Sequence, residues 1–398
     1  MLHLVAAAML LAPPTRTVVF ETDEVTEAAV AVFPDGKTLA FTMLGHLFRI
    51  PAAAGGTAEQ LTFGPYFDGD PAISPDGSKI AFVSDRAARE GFELAVYVLD
   101  LSTKQVRRLT DDPLAFRPSF AASGDAIDYI AVPREPAMPG ATLLREVGIA
   151  GGAPRTLRDR PAPYRSLVRL ADGKLAWSVA EFDRATGAAT SRVETVGEDG
   201  QVRTLASTDG SLERVEASPS GDGLYARRTK GGGRLGAPQT EDLVFIADGA
   251  VRSIAPLETK SGPRPRIAVM PSGSTIVLGD AGRLVKIDAR SAAREILPMR
   301  ARVTLELEPA TPPRVAPRPA PVIASPLPVP GGGLIFEAAG WLWAQPPSDG
   351  PARRLEDRGA GPHAMAVSPA LSADGKRLAF VRVEGLEMTL CTMDLATG

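Results

Sequence analysis

Apolar and polar residues alternate along most of the chain in short runs, and each run is broken by a turn that ends in glycine. A period of two is the spacing of side chains on one face of a strand. One phrase recurs, a turn closing on Gly followed by x-x-apolar-Ala/Ile-aromatic. It reads FPDGKTLAF (33–41), SPDGSKIAF (74–82), ASGDAIDYI (122–130), LADGKLAW (170–177), SPSGDGLYA (218–226), MPSGSTIVL (270–278), VPGGGLIF (329–336) and SADGKRLAF (372–380). The aligned glycines are Gly36, Gly77, Gly124, Gly173, Gly221, Gly273, Gly331 and Gly375, at spacings of 41, 47, 49, 48, 52, 58 and 44. Asp-Gly or Ser-Gly between two apolar runs marks a hairpin, because glycine takes the positive-φ position without steric cost.

Each unit continues in the same order. A third run has the form apolar-x-apolar, as in HLFRIP (46–51), AVYVLDL (95–101), RLVKIDA (283–289) and WLWAQPP (341–347). A last segment ends in Leu with Thr or a base beside it, as in AEQLTF (58–63), VRRLTDD (106–112), PRTLRD (154–159), VRTLAS (202–207) and ARRLED (352–357). Four short strands repeated every 40–50 residues predict the blades of a β-propeller. The expected fold is all-β, a single propeller of four-stranded blades, eight in number with seven as the lower count. Residues 16–308 hold blades one to six. Residues 309–330, with nine prolines, form a stiff connection. Residues 331–398 hold blades seven and eight, the last without its fourth strand. A hinge between two domains is the competing reading of the Pro-rich stretch; the repeat resumes at once after it, which favours one ring. TRTVVFETDE (15–24) is an extra strand, expected to close the ring by pairing with the last blade beside 389–395. The inserts 132–146 and 227–241 have loop composition.

Length and composition narrow the classes. At 398 residues the chain exceeds one ordinary core. Gly 39 and Pro 36 exclude a solenoid of helices, and 44 bases against 47 acids give no basic excess for nucleic acid. Cys391 is the only cysteine, and His3, His46 and His363 stand in no metal-binding spacing. Leu2 to Ala12 is an apolar run too short to span a bilayer, which needs about 20 residues. Residues 1–15 are read as a signal peptide, with a buried first strand as the competing reading, and the expected location is periplasmic or secreted.

The units resemble TolB-type propeller repeats. Ser74-Pro75-Asp76-Gly77 through Phe82, then Ser84-Asp85-Arg86, carries the resemblance, with Phe33-Pro34-Asp35-Gly36 and Ser372-Ala373-Asp374-Gly375 close to it. Phe20 to Thr26, then PDGK, Gly45, Pro51 and Gly55-Gly56, is similar to the N-terminal propeller of secreted amidohydrolases. In that family the propeller precedes a metal-dependent hydrolase barrel. Prolyl-oligopeptidase-like peptidases also carry such propellers. This sequence holds neither paired histidines nor a G-x-S-x-G serine. The expectation is a non-catalytic exported module that binds a protein or peptide. The alternative is the substrate-filtering propeller of a hydrolase whose catalytic domain lies elsewhere. No cofactor, metal, nucleic acid or membrane span is implied, and a monomer is expected.

Candidate chemistry is sparse. Asp68-Gly69-Asp70 reads as turn-capping aspartates rather than a Ca²⁺ loop. Asp85-Arg86 reads as an ion pair at a blade edge. His46 and His363 are unpaired by spacing, and Cys391 reads as packing. Trp341 and Trp343 face one way, as core packing or as a stacking platform. Seven residues before each aligned glycine lies the start of the innermost strand, at the channel. That position is Asp70, Arg117, Ser166, Arg214, Arg266, Ala324 and Ser368 in units two to eight, with Arg165 one place off. Asp70, Arg117, Arg214 and Arg266 are therefore the candidate ligand site, a channel mouth suited to an acidic peptide or partner. The competing reading pairs each arginine with a neighbouring blade's carboxylate.

Overall fold

The computed structural model describes residues 16–397 apart from 27, 89–92, 134–140, 159, 183–188, 232–238, 259–264, 308–322, 348–349, 356–363 and 385–386. His363, residues 1–15, expected to be a signal peptide, and most of the Pro-rich stretch lie outside the described residues.

Among the described residues, thirty-three strands build eight sheets. In each the strands of the repeat unit follow one another antiparallel from innermost to outermost, as the four-run units predict; sheet 1 carries two further strands, described below. Sheets 1 to 8 begin with Val30–Val32, Asp68–Ile73, Leu114–Phe120, Tyr164–Arg169, Ser211–Ala217, Ala268–Val269, Ala324–Pro328 and Met365–Leu371. The first turn of each unit forms as expected. In the Asp-Gly turns the aspartate accepts a backbone N–H two residues on, as Asp35 does from Lys37 at 2.9 Å and Asp76 from Ser78 at 3.0 Å. Hydrogen bonds from Ser74 and Ser78 hold the Asp76 carboxyl well below the usual carboxylate range.

The chain forms two compact units, residues 1–309 and 310–398. In the first, six sheets pack face to face in a circuit. Phe33 and Leu47 of sheet 1 bury against Ile80 and Phe82 of sheet 2. Further apolar layers join sheets 2 and 3, 3 and 4, 4 and 5, and 5 and 6. A last layer puts Val277, Leu284 and Leu297 of sheet 6 against Val30, Leu39 and Phe41 of sheet 1. The turns interlock in the same sense: the place a Cβ would take on Gly77 lies 3.5 Å from Pro34, and that on Gly36 lies 3.2 Å from Pro271 of sheet 6. Val30 N–H also donates to Arg266 O at 2.9 Å. Sheets 7 and 8 share their own core in the second unit, around Leu342, Leu378 and Phe380.

The eight sheets match the eight turns, and six of them lie in the first unit and two in the second. Sheet 1 meets sheet 6 because both present small residues at the junction; a Cβ on Gly279 would stand 2.9 Å from Ala28. Both apolar faces are then used.

The expected pairing of the N-terminal strand with the last blade is corrected. Arg16–Thr22 pairs antiparallel with Met299–Leu307. That strand runs parallel to Gly56–Gln60, the outermost strand of sheet 1, making a six-stranded sheet. Its Met299, Ala301 and Val303 are buried in the layer between sheets 1 and 6, which fixes this position. The ends of both supposed loop inserts are strand, at Leu143–Gly148, Leu224–Gly231 and Gln239–Ala247.

Candidate functional site

The innermost strands carry an irregularity at the aligned position. Register shifts between Gly69 and Ala72, Phe116 and Ser119, and Glu213 and Glu216. Within each shift one non-glycine residue takes the left-handed conformation: Asp70 at φ 55°, Arg117 at 60° and Arg214 at 60°. Asp70 and Arg117 precede prolines, where extended backbone is the norm. Such residues cost of order 1–3 kcal/mol each and persist where their surroundings over-determine them. A bulge re-aims the side chain, and here it turns three side chains toward one point. In the second unit the same conformation falls on Ser368 and on Ser325 rather than Ala324. The alignment of the seventh repeat is therefore off by one, a slip its run of three glycines conceals.

The four candidate residues do converge, and they are met by the chain's own carboxylates. Asp70 accepts from Arg214 Nη1 at 2.6 Å, from Arg117 Nη1 at 3.4 Å and from the Arg117 backbone N–H at 3.1 Å. Arg117 Nη2 lies 3.6 Å from Glu213. Arg266 donates Nε and Nη2 to Glu216 at 2.6 and 3.2 Å, and Nη1 to the carbonyls of Pro118 and Pro71 at 2.8 and 3.2 Å. Ser166 Oγ accepts from Val215 N–H at 2.8 Å. Three guanidiniums thus meet three carboxylates drawn from sheets 2, 3, 5 and 6. Burial pulls the Arg117 guanidinium below its ordinary value, against Asp70 and Glu213. At Arg266 burial acts in the same sense but is outweighed by Glu216 and Asp70, and the net direction is upward. The space among these groups is about 10 Å³, room for one water at most. As placed, these guanidiniums are paired with the chain's own carboxylates, a clasp between blades. Glu213 and Glu216 were missed, although they flank Arg214 in LERVE (212–216).

Asp68 is fully buried and takes Arg86 in a two-pronged pair, Nε at 3.2 Å and Nη2 at 2.5 Å. Asp85 instead accepts the Phe67 N–H at 2.8 Å. The expected Asp85-Arg86 pair is thereby corrected, and Asp68 and Asp70 are buried ion partners rather than turn caps. The Arg86 guanidinium stacks over Tyr66, 4.7 Å from the ring centroid. His46 is buried, its Nδ1 has no hydrogen-bond partner, and burial holds its pKa down. In the second unit Trp343 Nε1 donates to Ala338 O at 3.1 Å, and Arg354 covers Trp341 at 4.3 Å. Cys391 is half-buried against that unit's core. Among the described residues, no three His, Cys, Asp or Glu side chains converge as a metal site would require.

A second feature lies where sheet 1 hands over to sheet 2. The connection LTFGPYFD (61–68) exposes Phe63, Tyr66 and Phe67, and Leu44 stands beside them in the neighbouring turn. All four are 38–49% exposed. Asp68 N–H donates to Gly45 O at 2.7 Å, and Phe67 lies against Gly45, which fixes the two segments together. The connection leads directly into the strand that carries Asp70.

No family model matches the chain, and no curated protein matches it. Solved structures do. A putative TolB from Agrobacterium tumefaciens superposes with a TM-score of 0.51 at 17% identity, over 65% of this chain and 95% of that one. The fold is a TolB-type β-propeller. Tricorn protease gives a TM-score of 0.51 at 14% identity, over 95% of this chain and 35% of that protein. TolB from Acinetobacter baumannii gives 0.48 at 18% identity, over 69% and 65%. The chain thus spans nearly all of the first neighbour and about a third of the protease.

Proposed function

We propose that this TolB-type propeller is a non-catalytic, exported module that binds a protein or peptide. The observation that carries the reading is the surface of Phe63, Tyr66, Phe67 and Leu44. Exposed aromatic residues held on rigid backbone, with an arginine stacked among them, are the composition of an interface centre. The clasp of Asp70, Arg117, Arg214 and Arg266 serves this role indirectly, by fixing the strand into which that surface leads. Among the described residues no helix is long and apolar enough to cross a membrane.

The test is selection of a random-peptide display library against the full chain. Peptides selected on the parent should lose about ten-fold or more in affinity on a Tyr66→Ser/Phe67→Ser variant, from the apolar area no longer buried. Equal affinity for parent and variant overturns the assignment of this surface. A second reading is favoured by the match to a third of tricorn protease: the chain is the substrate-filtering propeller of a peptidase or amidohydrolase. Faster or more selective hydrolysis by a catalytic domain joined to it, with no peptide binding by the propeller alone, would support that reading instead.

A further inference from the structure

The exposed rings of the first unit are seated on glycine. A Cβ on Gly64 would stand 2.6 Å from the Tyr66 ring, and one on Gly69 would stand 2.7 Å from the Phe67 ring. Phe67 also lies against Gly45, its ring 3.7 Å from the place a Cβ would take there. Any side chain at Gly64 or Gly69 would push a ring off the backbone. From above, the Arg86 guanidinium covers Tyr66, and Asp68 holds that guanidinium in its two-pronged pair. The rings are thus in place before a ligand arrives, which lowers the entropy cost of binding.

The backbone around them has little left to offer. Phe67 N–H donates to Asp85 Oδ1 at 2.8 Å, Asp68 N–H to Gly45 O at 2.7 Å and Leu44 N–H to Thr26 Oγ1 at 3.2 Å. Phe67 O accepts from Asp85 N–H at 3.3 Å, and Thr62 O from Gln60 Nε2 at 3.0 Å. A peptide that adds as a strand finds no ladder here, and its inward N–H groups would be buried without partners, which is unfavourable.

Proline has no N–H to leave unpaired, and a polyproline II helix makes no internal hydrogen bonds. Aromatic rings with few free hydrogen-bonding groups suit such a helix, which is stiff and so loses little freedom on docking. Charge narrows the occupant further. Arg86 is spent on Asp68, whereas among the described residues no base pairs with the half-buried Asp85 carboxylate beside Phe67. We propose that this surface takes a proline-rich segment of a partner protein in the polyproline II conformation, its prolines on Phe63, Tyr66, Phe67 and Leu44 and a basic residue beside Asp85. This class of ligand rests on the reading of the same surface as a peptide site. Every group that would touch it lies between 44 and 86, inside the first unit.

The test titrates the full chain into a fluorescein-labelled peptide, GPPPRPPPG, and reads anisotropy. A second peptide has alanine at every proline, and a third has glutamine in place of the arginine. Expected are saturable binding of the first that weakens with salt, an affinity about ten-fold or more lower for the alanine peptide, and weaker, salt-insensitive binding of the glutamine peptide. Asp85→Asn keeps an acceptor for the Phe67 N–H and removes the charge, so it should weaken the arginine peptide and leave the glutamine peptide unchanged. Gly69 has no positive φ, and an added Cβ there meets only the Phe67 ring and, at an ordinary 3.7 Å, Val83. Gly69→Ala should therefore displace the ring and weaken both proline peptides while keeping the parent's circular dichroism. Equal affinity for the proline and alanine peptides, both lost on Tyr66→Ser/Phe67→Ser, overturns the polyproline class and leaves the surface a peptide site. So do library-selected peptides without proline that bind there when GPPPRPPPG does not. Binding of GPPPRPPPG that Tyr66→Ser/Phe67→Ser and Gly69→Ala leave unchanged overturns the placement, and unchanged affinity in Asp85→Asn overturns the basic contact. No binding by any peptide, selected or designed, overturns both readings.

Discussion

Removing the charge of Asp70 should destabilise the first unit far more than its surface pairs would. Asp70→Asn is the informative change. Asparagine tolerates the left-handed backbone that Asp70 adopts at φ 55°, and its amide oxygen can still accept one N–H. What is lost is the negative charge facing Arg214 at 2.6 Å and Arg117 at 3.4 Å in a buried space. Three guanidiniums are then left with Glu213 and Glu216. Breaking a buried pair by removing one partner costs about 3–5 kcal/mol, because a charge stays buried without compensation. At roughly 2–4 °C per kcal/mol for a domain of this size, the melting temperature should fall by about 10 °C. Scanning calorimetry at pH 7 measures it. A double-mutant cycle with Arg214→Met isolates the cause: removing the arginine from the Asp70→Asn protein should cost about 1 kcal/mol or more less than removing it from the parent. A fall of less than about 2 °C, or additive effects, would refute the clasp as an energetic unit.

Three further outcomes are expected. Stability should decline as pH falls from about 7.5 to 5.5: the unfolded His46 takes up a proton near its ordinary value of 6.5, while burial holds the folded pKa lower against the opposing pull of Asp68 and Glu306, with Arg86 adding to the depression. Urea midpoints at the two pH values read this, and His46→Gln should flatten the difference. Deleting 16–22 should lower the melting temperature by several degrees and speed amide exchange along 299–307, the strand it pairs with; unchanged exchange there would contradict the pairing. Gly55→Ala should destabilise severalfold more than Gly249→Ala in chemical denaturation. Both glycines have positive φ, but a Cβ on Gly55 would stand 2.0 Å from Pro298 O, whereas one on Gly249 meets nothing within 4 Å.

Local rules placed the strands and turns of the repeat, but not the strand ends of the two inserts or the strand Met299–Leu307. The Asp-Gly turns, the period-two runs and the order of four strands per unit depend on residues close in sequence, and all reappear in the structure. The position seven residues before the turn glycine also proved special, since four of the residues there, Asp70, Arg117, Arg214 and Ser368, share the left-handed bulge conformation. Convergence of the first three side chains followed from the repeat alone.

What the chain order could not tell is which faces meet. Counting eight turns says nothing about whether sheet 6 meets sheet 1; close approach of Gly279 to Ala28 shows that it does. The same limit hid the partner of the first strand, because Arg16–Thr22 could ladder onto any open edge, and only burial of Ala301 and Val303 between two sheets picks one. It also hid the character of the mouth. Arg117, Arg214 and Arg266 look like a cationic ring when read one repeat at a time, and become a clasp once Asp70, Glu213 and Glu216 are brought against them, mostly across blades. Hydrogen bonding and side-chain alternation act over a few residues and are written into the sequence directly. Pairing of buried charges and of apolar faces acts between segments 50 to 250 residues apart, as from Arg266 to Glu216 or Gln60 to Thr304, and exists only after the chain has closed on itself.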